Sequence, residues 1–185
     1  MLNELILKIW AQEAIQAKPY PSALFPPSPY YRFFQILARE LKFSLSIVLG
    51  VCGGGDCLHL ALGNPEGKII GVDLINDHEE QLSYIKSTCP NFIFYKGDSV
   101  KSAKLISRAF GAIGFLFIDT IHEKDRTILE FEIWKPYLAD EAIVCFDDLL
   151  REEMNGFWDW LPEPKLRIND LHPTAEGGFG VWWKK

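Results

Sequence analysis

Five short apolar runs rich in β-branched residues alternate along this chain with stretches of helical spacing. We predict strands over Ser46–Val51, Lys68–Val72, Asn91–Lys96, Phe115–Asp119 and Ala142–Phe146. We predict helices over Cys57–Leu62, Asp77–Cys89, Ser99–Phe110 and Asp125–Tyr137. Strands that are apolar throughout and separated by helices indicate a parallel sheet covered on both faces. The pattern therefore predicts a doubly wound α/β fold.

The two ends of the chain depart from this alternation. An amphipathic helix is predicted from the start to about Ala17, and its apolar stripe, which could also form a homodimer surface, contains Leu2, Leu5, Ile6 and Ile9. The proline-rich segment Lys18–Pro29 is a linker or a flap, and helical spacing resumes at "YYRFFQILARELK". After the fifth strand, "LRIND" and "GFGVWW" predict an antiparallel hairpin at the sheet edge. Asp77 followed by Glu80 resembles a capping box.

Length and composition limit the class of protein. The 185 residues suit a single domain, with a core over residues 30–185 and an N-terminal helix and proline-rich segment over residues 1–29. The net charge of −6 argues against a general affinity for nucleic acid, which needs clustered Lys and Arg. The four cysteines form no C-x-x-C pair, so neither a zinc site nor a disulfide framework is expected. The start is unlike a signal peptide and no apolar run approaches the ~20 residues of a membrane span, so we expect a cytoplasmic protein with no membrane partner.

The first predicted strand runs into a loop with four glycines, "GVCGGG", residues Gly50–Gly55. In open α/β sheets, ligands bind beyond the carboxyl ends of the strands, which is where this loop lies. Glycine lets a chain approach a ligand closely, although a tight turn without a ligand is the alternative. The spacing matches neither G-x-x-x-x-G-K-[ST] nor G-x-G-x-x-G, so a phosphate-bearing ligand is a poor match.

Acidic residues lie where a bound ligand would meet the strand ends. Asp56 is expected at the rim of the loop, and Asp73 and Asp98 follow the second and third strands. These carboxylates would repel an anion. Asp73 follows the loop at about the 20-residue spacing at which an acid meets the hydroxyls of a ribose. S-adenosylmethionine fits this pattern because it has a ribose, an ammonium and a sulfonium but no phosphate.

Six stretches, in order, resemble the class I S-adenosylmethionine-dependent methyltransferases, in particular the small O-methyltransferase-like group. The stretches are "VLGVCGGGD", "IIGVDL", "YKGDS", "FLFIDTIHEKD", "EIWKPYLADEAIVCFDDL" and "GGFGVWW". The resemblance covers about Tyr30 to the C-terminus and implies a Rossmann-like, mostly parallel sheet with strand order 3-2-1-4-5-7-6 and an antiparallel C-terminal hairpin.

The resemblance also implies roles for individual residues. The methionine part of the cofactor would lie against Gly50, Val51, Gly53 and Gly54, with Asp119 nearby. Asp73 would bind the ribose hydroxyls, and Asp98 with Ser99 would bind the adenine edge. The chain departs from the family at Val48, where an acid is usual, at Cys52, and at "LADEA" in place of a glycine turn.

These departures keep other functions open. Val48, and Thr120–Ile121 beside Asp119, suit a catalytically inactive methyltransferase-like module for binding or assembly. A nucleotide-sugar or NAD enzyme is a further alternative. The favoured function is O-methylation of a small molecule, with the acceptor pocket formed by Lys18–Pro29 and Arg151–Thr174, because segments outside the motifs build such pockets.

The fourth and fifth strands end in Asp119 and in Asp147–Asp148. Such an all-oxygen set suits Mg²⁺, and some related O-methyltransferases hold a metal at these strand ends, although strand-end acids also cap helices. Asp119 and His122 are the candidate catalytic residues, with His122 as the base. A histidine at the surface or at a helix cap is the alternative for His122.

Other histidines and aromatic residues have simpler interpretations. His59 and His78 lie in predicted helices and are expected to be structural, whereas His172, in the final hairpin, could face the substrate. The aromatic residues of Phe157–Pro162 and Trp182–Trp183 either belong to the core or line an acceptor pocket, and the core is the more common place for them.

Overall fold

A computed structural model describes residues 2–13, 25, 28–168 and 177–185. Its seven strands are β1 Leu45–Leu49, β2 Lys68–Asp73, β3 Phe92–Lys96, β4 Ile113–Ile118, β5 Leu138–Phe146, β6 Lys165–Arg167 and β7 Gly180–Trp183. They form one sheet in the order β3-β2-β1-β4-β5-β7-β6. Strands β1 to β5 are parallel, and β7 is antiparallel to both β5 and β6. The predicted Rossmann-like fold and its strand order are confirmed.

Helices connect these strands. They are α1 Leu2–Glu13, α2 Pro29–Leu41, α3 Gly55–Gly63, α4 Glu79–Thr88, α5 Ser99–Phe110, α6 Lys124–Trp134 and the short α7 Phe157–Trp160, with 3-10 turns at Lys135–Tyr137 and Glu152–Met154. Helix α2 begins where Ser28 accepts a hydrogen bond from the Tyr30 amide and proline occupies the first turn, a favoured N-terminal arrangement. It ends at Leu41, and the left-handed backbone of the next residue, Lys42 (φ 50°), closes the last turn.

The sheet separates two hydrophobic cores. Side chains alternate along a strand, so in β1 Val48 enters one core while Ile47 and Leu49 enter the other. Ile6 and Ile9 of α1 are buried in the first core, so this part of the predicted stripe packs within the chain. The predicted extension of that helix to Ala17 and most of Lys18–Pro29 lie outside the described residues, as does His172.

Some predicted boundaries are wrong. Strand β1 ends at Leu49 because the next residue, Gly50, turns into a left-handed conformation. Strand β5 begins at Leu138, before a register shift against β4 that the sequence did not reveal. The capping box at Asp77 is absent, because α4 begins at Glu79 and the side chain of its N-cap residue, His78, makes no hydrogen bond to the first turn. Within the described ranges, no helix is both long and apolar enough to cross a membrane.

Candidate active site

The carboxyl ends of β1 to β5 open onto a cavity of about 670 Å³. We call the ends of β1, β2 and β3 the loop side, and the ends of β4 and β5 the carboxylate side. Predicted site residues that line the cavity are Gly50, Asp73, Asp98, Ser99, Asp119, His122, Asp147 and Asp148. Val51, Gly53 and Gly54 belong to the same loop but do not line the cavity. The fold therefore brings residues from five separate strand ends together.

One carboxylate organises the loop side. Asp73 Oδ2 accepts hydrogen bonds from the amides of Val51 at 2.8 Å and Cys52 at 3.2 Å, and its Oδ1 accepts from the Ile75 amide at 3.0 Å. Parallel pairing of β1 with β2 sets Leu49 beside Val72, which places Asp73 under the loop. Each carboxylate oxygen can accept two hydrogen bonds, so Asp73 retains capacity for a ligand hydroxyl.

Packing requires glycine at three of the four glycine positions of the loop, and at one of them, Gly55, a Cβ would lie 2.1 Å from Tyr31 Cζ. Gly50 has φ +81°, and a Cβ there would lie 1.8 Å from the Asp119 carbonyl oxygen. Gly54 has φ +77°, and its Cβ would lie 2.6 Å from Ile85. A Cβ at Gly53 would be 3.9 Å from its nearest neighbour, so no close packing requires glycine at that position. Part of the glycine content therefore serves the turn itself.

Asp98 and Ser99 lie at the start of α5. Asp98 caps the helix, because its Oδ1 accepts from the amides of Val100 at 2.9 Å and Lys101 at 3.0 Å. The pKa of Asp98 is lowered, and the hydrogen bond from the Lys101 amide is the largest cause. The Val100 amide and the charge of nearby Arg126 lower it further, while partial desolvation opposes them. The Ser99 hydroxyl donates to Glu130 at 2.5 Å. Its side chain thus faces α6, and its adenine contact stays a prediction.

Arg126 and Glu130 are cavity-side residues that the sequence analysis missed. Glu130 is fully buried and accepts from Ser99, from Thr120 at 2.7 Å and from Arg126 at 3.0 Å. Arg126 lines the cavity, donates to Ser99 Oγ at 2.8 Å, and lies 3.6 Å from Asp98. Their spacing of four residues on a predicted helix is a visible signal, because such pairs share a helix face. The network ties β4, α5 and α6 together beside the cavity.

His122 joins two acids on the carboxylate side. Its Nε2 is 2.8 Å from Asp119 Oδ1, and its Nδ1 is 2.9 Å from Asp148 Oδ2. Asp148 Oδ2 also lies 2.7 Å from Arg151 Nε. The hydrogen bond to Asp119 is the main cause that raises the pKa of His122. His122 is therefore neither an isolated surface histidine nor a helix cap, but a bridge between two strand ends.

Asp147 is the third acid of this side. Its Oδ1 is enclosed and has no hydrogen-bond partner in the part of the chain that the structure describes. Burial, followed by the charge of Asp119, raises the pKa of Asp147 to about 7. Tyr30, at the start of α2, donates a hydrogen bond to Asp147, and burial followed by the Asp147 charge raises the pKa of that phenol. Helix α2 thus covers this end of the cavity.

Two residues do not lie where the sequence suggested. Asp56 does not line the cavity: its Oδ1 is enclosed without a partner among the described residues, and burial, then Asp119, raises its pKa well above the usual range. Val48 is fully buried between Gly71 of β2 and Phe117 of β4, so an acid there would lie in the core. The expected place of Asp56 at the rim is wrong because the first turn of α3 points it inward.

The remaining candidates are largely structural. His59 is buried and stacks on Tyr31 with ring centroids 4.6 Å apart, and burial lowers its pKa to about 3. His78 precedes α4 and lies 3.4 Å from the Cys52 sulfur. Among the aromatic candidates, the core interpretation is confirmed for Phe157, Trp182 and Trp183. Residues 151–168, the described part of the predicted acceptor segment, do not line the cavity.

The comparisons with known proteins agree with the fold. A seven-stranded sheet of this order with a ligand cavity at its carboxyl edge defines the class I methyltransferase architecture. The family model described as "Methyltransferase domain" matches residues 47–149. The chain belongs to this family, and its identification as a class I S-adenosylmethionine-dependent methyltransferase with an O-methyltransferase-like fold is confirmed. No curated protein matches the chain by sequence.

Solved structures show the same fold at low identity. An O-methyltransferase from Bacillus cereus in complex with SAH is 16% identical, with a TM-score of 0.71 over 98% of this chain and 90% of that one. The O-methyltransferase TomG from Streptomyces achromogenes, in complex with SAM, is 16% identical, with a TM-score of 0.69 over 97% and 90%. The SAH-bound Podospora anserina methyltransferase PaMTH1 is 12% identical, with a TM-score of 0.66 over 97% and 88%.

Proposed function

We propose that this protein transfers the methyl group of S-adenosylmethionine to an oxygen of a small molecule in the cavity described above. The observation that carries the proposal is the cavity itself, where Gly50, Asp73 and Asp98 meet Asp119 and Asp147 at one edge of the sheet. A cavity lined by acids favours a ligand with a positively charged sulfur. The cofactors named in the B. cereus and TomG structures support the same choice.

We propose that the loop side binds the cofactor and the carboxylate side binds the acceptor. S-adenosylmethionine supplies an electrophilic methyl group, and the acceptor oxygen must lie in line with the bond that breaks. On the loop side, Asp73 already holds the loop amides and can accept from ribose hydroxyls. On the carboxylate side, Asp119 would accept a hydrogen bond from an acceptor hydroxyl and take its proton as the oxygen–methyl bond forms and the methyl–sulfur bond breaks. Alignment of this kind supplies much of the acceleration in such displacements.

His122 suits a positioning role better than the predicted role as the base. Both of its ring nitrogens lie within hydrogen-bond distance of carboxylates. A ring held in this way accepts a proton only after it gives up one of those contacts. We therefore propose that His122 orients Asp119, which lines the cavity directly.

The predicted Mg²⁺ site does not fit the side chains present. Within the described ranges, no group of three or more His, Cys, Asp or Glu side chains is arranged to hold a metal ion. Asp148 is occupied by His122 and Arg151, and Tyr30 donates to Asp147. No part of the proposed reaction uses a metal.

The remaining expectations concern partners and location. The net charge of −6 supports a small-molecule acceptor over nucleic acid. All four cysteines are free, which suits a reducing compartment, and we propose the cytoplasm. A homodimer stays a prediction, and it would use a surface other than Ile6 and Ile9, which this chain buries itself.

Calorimetric titration with S-adenosylmethionine tests the proposal. We expect one binding site, and Asp73→Ala should weaken binding by roughly tenfold or more, because hydrogen bonds to a charged group are lost. Asp159→Ala, which removes an exposed acid in α7, is the matched control and should bind as the wild type does. Absence of binding by the folded wild-type protein would reject the proposal.

The same protein separates the alternatives. Methyl transfer to any acceptor would reject the inactive binding or assembly module. The melting temperature separates the remaining alternative, because a ligand that binds the folded protein raises it. A rise with NAD or a nucleotide sugar, and none with S-adenosylmethionine, would favour the nucleotide-sugar or NAD enzyme.

A further inference from the structure

We propose that the cationic side chain of His122 takes the place of a divalent metal ion on the carboxylate side, so that this site excludes Mg²⁺ and Mn²⁺. The inference rests on the proposed function only for the identity of the site. The donor atoms around Asp119 and Asp148 carry the inference, and metal binding tests it without any measurement of catalysis.

The contacts of His122 define its charge. Nε2 faces Asp119 Oδ1 at 2.8 Å, and Nδ1 faces Asp148 Oδ2 at 2.9 Å. An ionised carboxylate only accepts hydrogen bonds, so both ring nitrogens must donate, and only the cationic imidazole has two N–H groups. His122 thus joins the ends of β4 and β5, which is what a bridging metal ion would do.

Both oxygens of Asp148 contact other parts of the chain. Its Oδ2 is shared by His122 and Arg151 Nε, the latter at 2.7 Å. Its Oδ1 packs on the backbone of Gly177, where a Cβ would lie 2.0 Å from that oxygen. Both His122 and Asp148 have left-handed backbones, with φ of 51° and 56°, which aim the two side chains at each other. Residues with a Cβ adopt this conformation only at a cost, so the surrounding contacts must hold it.

The charges of His122, of the two acids that it contacts and of Arg151 are already balanced. Asp119 and Asp148 carry two negative charges, and His122 and Arg151 supply two positive ones. Mg²⁺ and Mn²⁺ bind where several uncompensated oxygen ligands converge, and charge count is a main control of affinity. Tyr30 donates to Asp147, and the other oxygen of that acid is enclosed. A divalent ion would therefore find no free pair of carboxylates.

Removal of the His122 side chain should make the carboxylates of Asp119 and Asp148 available to a metal ion. Without the ring, Asp119 Oδ1 loses its described partner and Asp148 Oδ2 keeps only Arg151. Two carboxylates would then face the space that the imidazole had filled. We expect that His122→Asn or His122→Ala acquires a metal site that the wild-type protein lacks.

Titration of Mn²⁺, followed by the electron paramagnetic resonance signal of the free ion, measures this directly. The wild-type protein should leave millimolar Mn²⁺ free, and His122→Asn should take up one ion with an affinity higher by about tenfold or more. His122→Ala serves as the second variant, and circular dichroism checks that both fold. His78→Asn is the matched control, because His78 lies beside a single acid, Asp77, at 3.5 Å and should gain no site.

Two results would overturn the proposal. Stoichiometric binding of Mn²⁺ by the wild-type protein that His122→Asn weakens would make His122 a partner of the metal. Absence of binding by every folded variant would show that His122 does not keep the ion out. Titration of the same samples with S-adenosylmethionine tests the proposed function separately, since a protein that fails to bind it can still give either metal result.

Discussion

The two sides of the cavity differ in the chemical groups that form them. On the loop side, main-chain amides of Val51, Cys52 and Ile75 converge on the single carboxylate of Asp73. On the carboxylate side, charged side chains face one another, with His122 between Asp119 and Asp148. Main-chain geometry follows from the fold and changes little on substitution, whereas one altered side chain rearranges an ion-pair cluster. The loop side therefore suits a constant ligand, and the carboxylate side suits a variable one.

The largest effect is expected where the two sides touch, at Gly50. Gly50→Ala places a Cβ against the Asp119 carbonyl and forces φ +81° on a residue that disfavours it, so we expect a loss of about 3 kcal/mol in the free energy of unfolding. Urea denaturation measures this loss. Gly111→Ala is the matched control, since its φ is +96° but its Cβ would meet nothing within 4 Å. Equal losses in the two variants would show that the contact between the sides is unimportant.

Two arginines allow a comparison of the sides, because Arg126 lies 3.6 Å from Asp98 of the loop side and Arg151 contacts Asp148 of the carboxylate side. Arg126→Met removes the cation beside the fully buried Glu130 and should lower the free energy of unfolding by about 2 kcal/mol. Arg151→Met removes an exposed partner of Asp148, which His122 also holds, and should cost less than about 1 kcal/mol. Urea denaturation of both variants gives the difference. A larger loss for Arg151→Met would show that burial of the ion pair does not determine its contribution to stability.

The next prediction concerns the pH dependence of stability that the carboxyl group of Asp56 causes. The pKa of Asp56 is raised in the folded protein, whereas in the unfolded chain it is about 3.9. As pH rises, Asp56 therefore loses its proton in the unfolded chain before it does so in the folded protein. Asp56 should therefore lower stability from its unfolded pKa up to its folded pKa, and Asp56→Asn should remove this contribution and leave the one that Asp147 makes through its own raised pKa. Calorimetry near neutral pH should show a melting temperature about 3 °C higher for the variant.

The control for that experiment is Asp159→Asn, which changes an exposed acid. It should follow the pH dependence of the wild-type protein. If the melting temperature of Asp56→Asn falls with pH as steeply as that of the wild type, burial of Asp56 is not the cause of the pH dependence.

The smallest expected effect concerns Cys52, in the glycine loop. Cys52 is exposed while Cys57, Cys89 and Cys145 are buried, so iodoacetamide should label Cys52 first. Bound S-adenosylmethionine should slow the labelling several-fold, because Cys52 lines the cavity. Mass spectrometry of digested samples measures both. Labelling of Cys52 that cofactor leaves unchanged would place the ligand away from the loop.

Most of the fold could be predicted from the sequence because its signals are local. The strands are apolar throughout and the helices are periodic, and the ordered motifs supplied the strand order. Local rules failed where a distant contact competes with them. Asp77 matches a helix cap in sequence, yet α4 starts two residues later, where His78 lies beside the thiol of Cys52.

The candidate site was predictable only in part, for the same reason. Strand-end acids are visible because carboxyl ends of parallel strands meet at one edge. The side chains that pair with the site residues are not visible in the sequence. His122 follows β4 but contacts Asp148 at the end of β5, and Ser99 of α5 contacts Glu130 of α6. The inward turn of Asp56 depends on the exact start of α3, which a sequence pattern leaves uncertain by a few residues. Residue identity thus located the acids, and packing decided what each one contacts.

The order of the last strands bears on how the chain folds during synthesis. Strand β6 is translated before β7, yet it joins the sheet through β7, which inserts between β6 and β5. Until Gly180–Trp183 leaves the ribosome, β5 has an open edge and β6 has nowhere to dock. An unpaired apolar edge is a template for aggregation, so a nascent chain at this stage is a natural client for chaperones.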